Sequence, residues 1–397
     1  MKQKKRVVDS CFRSASPEIF VSSAAFFIIS LTLFLVGCAP AARTVQPAAG
    51  MQDEAVRAEA TKQKEAAFAT HMKRVAHVFD TAFPLLAEAA ALDPSQGVPT
   101  CGFFVHNIES YSADFRDAAA RYFNVDKQIA VSYVHPQFPA AAAGLRVGDN
   151  ILSIKGKPLA GATKEELKKI LAEMKPVGGN PLDLTIDRNG EVIQMNIEGK
   201  SYCSFPVLLF TSDNVNAFSD GKHILLTTGM YRMTQTDEEL AFILSHEIAH
   251  NLMKHGKQKA EKAAPGTVLD VALAITLGIN TRGAFGNMVA APYSKDFEKE
   301  ADYVGLYLAA RAGYDISEAA NFWRRMAVEH PSSIERSYSN THPTTPERFV
   351  AIERTIKEIN EKKQLGMPLI PDTKMPGPSA QPPPSSNTES PLHGSDK

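Results

Sequence analysis

The feature that most constrains this chain is the spacing of three ionisable residues in the segment SHEIAHNLMKH, residues 245–255. His246 and His250 are four residues apart, so on an α-helix their imidazoles lie on one face and can reach one metal ion. Glu247 then lies beside them, where its carboxylate can hold and deprotonate a metal-bound water. Zinc suits this ligand set, and a catalytic zinc keeps one position open. A solvated polar helix face is the alternative.

A zinc site of this kind needs a third protein ligand. His255 is the nearest candidate, but it is one residue short of the spacing at which a third histidine follows such a motif, so we assign it to packing or to contact with a ligand. In residues 297–302, Glu298 and Asp302 share a helix face. We expect Glu298 to bind the metal and Asp302 to orient a ligating histidine. Glu300 is the less favoured ligand because it lacks that relation to Asp302, and an ordinary charged helix turn is the other alternative.

Capping signals place these residues on helices. Each predicted helix begins at a Ser, Thr or Asp cap and ends near a glycine, proline or basic residue. An Ala-rich charged pattern predicts one further helix near the N-terminus. The predicted helices are Met51 to about Leu92, Thr236 to His255 with Gly256 ending it, Ser294 to Arg311, Asp315 to near Pro331, and Thr345 to about Lys363.

The stretch from about Phe103 to Gly199 has a residue pattern typical of strands rather than helices. Short β-branched runs are separated by Gly, Pro and Asn turns, and Arg188-Asn189-Gly190 indicates a hairpin. Within it, HPQFPAAAAGLRVGDNILSIKGKPL (residues 135–159) resembles a PDZ domain. PDZ domains bind an extended peptide as an added strand, although a spacer with a closed groove is the alternative here.

The second half of the chain resembles a known enzyme family. The matching pieces are residues 214–218 (NVNAF), the helix ELAFILSHEIAHNLMKHG (residues 239–256) and the Glu-x-Glu-Ala-Asp signature at 298–302. Together they resemble the HtpX-like, BepA-like and CAAX-prenyl-protease family of gluzincin metallopeptidases. The resemblance implies an α+β fold: a mainly helical peptidase domain with a small edge-strand sheet, plus a PDZ-like β domain with one or two helices.

Site roles follow from the same resemblance. It implies that His246, His250 and Glu298 bind zinc, that Glu247 is the general base, and that Asp302 supports a ligand. His342, in the segment Thr-His-Pro, is implied as a fourth ligand or a transition-state stabiliser. A loop histidine near the last helix is the alternative. Four protein ligands would close the site until His342 is displaced.

Substrate binding is expected at a strand beside the zinc helix. Zincins bind substrate as an extra strand on a sheet edge, where main-chain pairing tolerates many sequences. The segment from Asn214 to Thr228 is the candidate, with Asn214, Asn216, Ala217 and Phe218 on the substrate strand.

The N-terminus has the pattern of a targeting segment. A basic start is followed by an uncharged apolar run, residues 19–36, and then by Gly37-Cys38. This resembles a bacterial lipoprotein signal in which Cys38 takes the lipid, and Ala39 after it implies sorting to the outer membrane, facing the periplasm. A retained signal anchor is the alternative.

Two further cysteines, Cys101 and Cys203, bracket about one hundred residues. In an oxidising compartment they can form a disulfide, and two buried free thiols are the alternative.

The predicted organisation is a signal peptide (1–37), a tether (38–50), a helical part of the peptidase domain (51–100), a PDZ-like domain (101–202), the zinc metallopeptidase domain (203–365) and a disordered Pro/Ser-rich tail (366–397). The insert at 257–293 is read as a lid or a membrane-facing helix, with a core helix as the alternative.

Two functions from different classes are compatible with these features. The favoured one is a lipid-anchored zinc metalloendopeptidase that cleaves unfolded or misassembled cell-envelope proteins. The alternative is a periplasmic chaperone or assembly scaffold whose zinc site is latched by His342. The intact Glu247 favours the enzyme. A formal net charge of -1 argues against a nucleic-acid partner.

Overall fold

The computed structural model describes residues 49–159, 181–262, 293–329, 342 and 345–373. The signal segment with Cys38, most of the 257–293 insert and the tail from residue 374 lie outside the described residues. The chain divides into two units, Met1–Glu59 and Ala60–Lys397, and every contact given below lies within the second.

Helices and strands are numbered in chain order. The helices are α1 (Ala49–Leu92), α2 (Arg116–Phe123), α3 (Pro139–Ala142), α4 (Thr228–Met233), α5 (Asp237–Leu252), α6 (His255–Lys262), α7 (Lys295–Arg311), α8 (Ala319–Glu329) and α9 (Pro346–Gln364). The strands are β1 (Gly97–Thr100), β2 (Phe103–His106), β3 (Ala130–Val134), β4 (Asn150–Ile154), β5 (Lys157–Pro158), β6 (Leu182–Arg188), β7 (Glu191–Ile197), β8 (Lys200–Cys203), β9 (Val207–Phe210), β10 (Ala217–Ser219) and β11 (Ile224–Thr227). The α+β fold class is confirmed.

The PDZ-like domain is built on one antiparallel sheet. Its strand order is β2-β3-β4-β6-β7, with β5 paired to β4. The predicted hairpin joins β6 to β7, and Asn189 and Gly190 adopt the left-handed conformation that its tight turn needs. Arg188 donates two hydrogen bonds to Asp149, at 2.7 and 2.6 Å, and so fixes the Gly-Asp turn of the PDZ-like motif.

The PDZ-like domain leaves and rejoins the rest of the chain through a ribbon of two strands. β1 pairs with β8 in antiparallel register, from Gly97 opposite Cys203 to Thr100 opposite Lys200. Because the two ends of the domain are side by side, about one hundred residues can be inserted there without separating α1 from the helices that follow β8.

α1 serves both domains. Its residues from Val78 to Ala90 pack in the same core as α5, α7, α8 and α9. Pro84 lies inside this helix and has no N–H for the carbonyl of Asp80, four residues earlier. The His135 ring of the PDZ-like domain lies 3.2 Å from that carbonyl through Nε2, and Tyr133 donates a hydrogen bond to the Asp80 side chain at 2.7 Å. Pro84 thus leaves the Asp80 carbonyl without its helical partner, and His135 of the PDZ-like domain contacts that carbonyl instead.

α1 also has the length and composition of a membrane-spanning helix over Asp53–Leu92. Half of its most apolar window is buried within the protein, a property shared by core helices of soluble proteins.

The helix that carries the histidine motif ends earlier than predicted. α5 stops at Leu252, Lys254 takes a left-handed φ of 58°, and α6 begins at His255. Gly256 therefore lies inside α6 and does not end a helix. The kink turns His255 back under α5, where it contacts His250.

The helix predicted from Asp315 begins later than predicted, at Ala319. The Asp315 side chain accepts the Ser317 N–H in a turn that precedes the helix.

Of the two alternatives for Cys101 and Cys203, the structure has the two buried free thiols and not the disulfide. The two thiols are buried in different cores: Cys101 in that of the PDZ-like sheet and Cys203 in the core that α1 shares with α5 and α7. Burial raises the pKa of Cys101 to about 11 and that of Cys203 to about 12, so both thiols stay protonated and unreactive at neutral pH.

The predicted disordered tail also begins too early. Residues 366–373 return along α7 and α9, where Arg311 donates a hydrogen bond to the Leu369 carbonyl at 3.0 Å and Lys362 donates one to the Ile370 carbonyl at 2.9 Å. Leu369 packs against the core. The Pro/Ser-rich composition that predicted disorder begins only after this segment.

Candidate metal centre

α5 carries a polar motif through the interior of the protein. Thr236 caps the helix by accepting the Glu239 N–H, and Arg325 pairs with the Glu239 carboxylate. All residues from Glu239 to Leu252 are buried. Burying ionisable groups in this way is costly unless other groups pair with them or a metal binds.

Four side chains from three parts of the chain converge at the middle of α5. One ligand atom from each of His246, His250, Glu298 and His342 lies within 4.8 Å of all the others. The two Nε2 atoms of His246 and His250 are 3.1 Å apart, and each lies 3.5 Å from an oxygen of Glu298. Three imidazoles and one carboxylate at such distances form a donor set that fits zinc.

α7 delivers Glu298 because it packs very closely on α5. Ser294 caps it by accepting the Phe297 N–H. Gly305, about two turns beyond Glu298, faces the backbone of α5. A Cβ at Gly305 would lie 3.1 Å from the backbone nitrogen of His246, so only glycine allows the two helices to approach this closely without moving apart.

Asp302 lies where the helical spacing predicts. Its Oδ1 is 2.9 Å from Nδ1 of His246, which leaves Nε2 of that ring for a metal. Arg348 from α9 donates two hydrogen bonds to Asp302, at 2.6 and 2.8 Å, and lies 3.1 Å from Glu298. The guanidinium also covers the ring of Trp323, with 4.7 Å to its centroid. A buried cation thus balances the two carboxylates.

These contacts set the protonation of the metal-free site. Burial opposes a charge on His246, but Asp302 and Glu298 outweigh it and raise the pKa of His246 to about 9. Burial lowers the pKa of His250 well below its ordinary value. Burial would raise the pKa of Glu298, but His342 and Arg348 hold it well below its usual range. Glu298 is therefore a carboxylate, the form that binds a metal.

Glu247 is in contact with His342, one member of the cluster. Nε2 of His342 lies 3.2 Å from Glu247, and its Nδ1 lies 2.9 Å from Glu298. The second oxygen of Glu247 is buried, and no described residue forms a hydrogen bond with it. Because buried polar atoms are nearly always satisfied, this oxygen is suited to hold a water.

His255 and Glu300, which sequence reasoning did not favour as ligands, lie outside the four-residue cluster. Nδ1 of His255 is 2.9 Å from Nδ1 of His250, on the side of that ring away from the cluster. Its Nε2 is 2.9 Å from Glu300.

The predicted substrate strand is an edge strand next to α5. β10 pairs with β11 in the three-stranded sheet β10-β11-β9 and lies at its end. Ala217 and Phe218 belong to β10, whereas Asn214 and Asn216 precede it, and their carbonyls accept hydrogen bonds from Thr227. These four residues are therefore close together in the structure.

Two side chains tie this strand to the cluster. Asn251 at the end of α5 accepts the Gly221 N–H at 2.8 Å and donates to the His223 carbonyl at 3.1 Å, which fixes the β10–β11 turn. Tyr293 donates to the Ser219 carbonyl of β10 at 3.2 Å. Its ring stacks on His250 at 4.0 Å between centroids.

Sequence reasoning missed Arg348, Trp323 and Tyr293. None belongs to a spaced motif of metal-binding residue types, and each reaches the site from a segment remote from α5 along the chain. A buried arginine two residues after the proline that opens α9 carries no sequence signal of its own.

Comparison with known proteins places this geometry in context. Residues 189–356 match the model of Peptidase family M48, and residues 113–198 match that of the PDZ domain. The mitochondrial metalloendopeptidase OMA1 of Schizosaccharomyces pombe is 25% identical over 58% of this chain and 70% of its own length. The human metalloendopeptidase OMA1 is 28% identical over 43% of this chain. The beta-barrel assembly-enhancing protease of Yersinia pestis is 28% identical over 31% of this chain.

The extent of these matches differs between relatives. The match spans only 36% of the human protein and 28% of the Yersinia protein. The likeness to these two is therefore confined to part of each relative.

Proposed function

Because this chain carries a metallopeptidase domain of family M48 together with a PDZ domain, we propose that it is a zinc-dependent endopeptidase acting on unfolded or misassembled proteins of the cell envelope. The observation that carries the proposal is the juxtaposition of Glu247 with the cluster of His246, His250 and Glu298. A binding or storage site would need the ligands, but it would not need a buried carboxylate next to them.

In this proposal His246, His250 and Glu298 hold the zinc, which supplies Lewis-acid polarisation and lowers the pKa of the attacking water. Glu247 takes a proton from that water and later passes it to the leaving amine nitrogen of the peptide. Asp302 and Arg348 keep His246 and Glu298 in their ligating orientations. The products are a carboxylate and an amine, so one water is consumed for each bond cleaved.

Two roles are compatible with the position of His342: a fourth metal ligand and a transition-state stabiliser. With Nδ1 beside Glu298 and Nε2 beside Glu247, it stands where a fourth ligand would close the site. After displacement a ring N–H of His342 can donate to the oxygen that gains negative charge in the transition state. Both roles require His342 to reach the cluster, and this is the arrangement observed.

Substrate is proposed to bind as an extra strand along β10. Asn251 and Tyr293 hold this strand against α5, so a backbone paired to it would lie next to Glu247. Recognition through main-chain hydrogen bonds suits unfolded segments of varied sequence. The PDZ domain is proposed to capture exposed chain ends for the same cleft.

The proposed location is the periplasmic face of the bacterial outer membrane. It rests on the lipoprotein-like signal ending at Cys38 and on the name of the Yersinia relative, a beta-barrel assembly-enhancing protease. Unfolded envelope proteins, including outer-membrane proteins, are then the accessible substrates.

The second candidate is a chaperone or assembly scaffold with a latched site. The position of His342 within the cluster favours it, because a fourth ligand removes the open position that catalysis needs.

One experiment separates the two functions. The purified protein with stoichiometric zinc is incubated with unfolded casein, next to Glu247→Gln and His342→Ala variants. The peptidase predicts cleavage that Glu247→Gln abolishes while zinc remains bound. Cleavage only by His342→Ala indicates a latched enzyme. Absence of cleavage in all three forms, with zinc bound, would favour the scaffold.

A further inference from the structure

We propose that His255 and Glu300 form a relay that orients the zinc ligand His250, and that Thr373 from the C-terminal segment completes it. The inference rests on the proposed function because it concerns the same site. His250 needs such a partner, since a metal-ligating histidine donates its other ring N–H to an acceptor that fixes its tautomer and orientation.

The relay begins with the two nitrogens of His250. Nε2 faces the cluster, at 3.5 Å from Glu298, while Nδ1 is 2.9 Å from Nδ1 of His255. A ligating Nε2 must present its lone pair to the metal, so the ring's proton resides on Nδ1. Nδ1 of His255 is then the acceptor.

This assignment fixes the state of His255. An imidazole that accepts at Nδ1 is neutral and carries its proton on Nε2. That nitrogen lies 2.9 Å from Oε2 of Glu300, which is a suitable acceptor. His255 is fully buried, and its ring is stacked on Phe297 at 4.4 Å between centroids, so it is held in this orientation.

The backbone explains how a residue five positions from His250 reaches it. On one continuous helix such a residue would point about 140° away. The left-handed Lys254 ends α5 and starts α6 at His255, which swings the ring back beneath His250. The early end of α5 is thus the feature that makes the contact.

The outer end of the relay is fixed by the C-terminal segment. Thr373 donates a hydrogen bond to Oε1 of Glu300 at 3.0 Å. The Asp372 N–H donates to the Tyr303 hydroxyl at 3.0 Å, which holds this part of the segment on α7. The two ligating histidines are therefore supported differently: His246 by a carboxylate directly, and His250 by a carboxylate through a second histidine.

The test measures zinc affinity of the full chain by competition with a chromophoric chelator, which does not depend on peptidase activity. His255→Phe keeps the stacking on Phe297 and removes the acceptor, and we expect it to weaken zinc binding by about 10- to 100-fold. Glu300→Gln should weaken zinc binding less, and Thr373→Val least. His77→Phe is the matched control, because that partly exposed histidine bonds only Tyr231 and Asp237 among the contacts described for it.

Two readouts distinguish positioning from packing. Thermal unfolding of the zinc-free variants measures any loss of stability separately from affinity, and Glu300→Gln, on a partly exposed side chain, guards against a His255→Phe protein that fails to fold. Nitrogen-15 spectra of the histidines in the zinc-loaded protein should show neutral His255 with its proton on Nε2.

The outcomes are clear-cut. A zinc dissociation constant for His255→Phe within about threefold of wild type overturns the relay, whatever its melting temperature, and so does a proton on Nδ1 of His255. Wild-type protein that binds no zinc would overturn the proposed function itself, and the two failures are therefore distinguishable.

Discussion

Arg348 is the buried cation on which the carboxylates of the site depend, and its removal gives a sharp prediction. The substitution Arg348→Met keeps a long apolar side chain that can still cover Trp323. It removes the two hydrogen bonds to Asp302 and the 3.1 Å contact with Glu298. Both carboxylates are almost fully buried, so water cannot replace the lost partner.

The magnitude follows from that burial. Removing one member of a buried ion pair leaves an uncompensated charge, and the cost is about 3–5 kcal/mol in the free energy of unfolding. The matched control is Arg324→Met, which breaks an ion pair with Glu353 on the surface. Exposed pairs of this kind contribute about 0–1 kcal/mol, so the control should unfold almost as wild type does.

Urea unfolding in the presence of a chelator measures both variants without interference from metal binding. Trp323 is the only tryptophan of the chain and is buried beside Arg348 and His246, so its fluorescence reports the unfolding of this region. Each variant is fitted with its own folded and unfolded baselines, because the substitution also changes the surroundings of the probe.

The pH dependence provides a second test of the same reasoning. The charge of Arg348 helps to lower the pKa of Glu298 and of Asp302 against the effect of burial. A lowered carboxyl pKa contributes stability above the unfolded value, and this contribution is lost as the pH falls through the folded value. The gap between wild type and Arg348→Met should therefore be full at pH 7 and should narrow below about pH 4. A deficit under about 1 kcal/mol at pH 7, or an equal deficit at pH 3.5, would refute the argument.

Three further predictions concern the same core. In the zinc-free protein the carboxylates of Asp302 and Glu298 raise the pKa of His246 to about 9. The stability contributed by the protonated ring is therefore complete below about pH 6.5 and is lost as the pH rises through 9. Urea unfolding should show the free energy of unfolding falling by about a few kcal/mol over this range in wild type but not in His246→Gln. Gly305→Ala should push α7 from α5, cost about 1–3 kcal/mol and weaken zinc binding, and an unchanged chelator titration would contradict it. Because Cys101 and Cys203 are free, a reductant should leave the melting temperature unchanged, and a clear fall would indicate a disulfide.

Much of the site was accessible from the sequence because its key contacts lie within single helices. His246 and His250 share a face of α5, and Glu298 and Asp302 share a face of α7, so four-residue spacing alone places each pair. Thr236 and Ser294 start these helices where the capping pattern predicts. α5 is buried on every side from Glu239 to Leu252, so the spacing of its polar residues, and not an apolar stripe, is the signal that places the two histidines together.

Contacts between distant segments had no such signal. His342 was predicted only through family resemblance, and Arg348 was not predicted at all, although it contacts Glu298 and Asp302 of the α7 motif. For Cys101 and Cys203 the sequence left a disulfide and two buried free thiols open, because residue spacing along the chain does not give the distance between two side chains. The β1–β8 ribbon already joins the two ends of the PDZ-like domain, and the cysteines point into different cores.

The contacts that support His246 and His250 show which parts of the site helical spacing can predict and which it cannot. A supporting role for Asp302 could be predicted because it shares a helix face with Glu298, and the structure pairs it with His246, where the two helices cross at Gly305. The partner of His250 could not be assigned, because a continuous helix would carry His255 away from it, and the residue that interrupts the helix is a lysine. A left-handed lysine is uncommon and is not signalled by residue type, unlike a glycine. The contact that it creates, with Nδ1 of His250, is therefore a consequence of tertiary structure that spacing rules exclude.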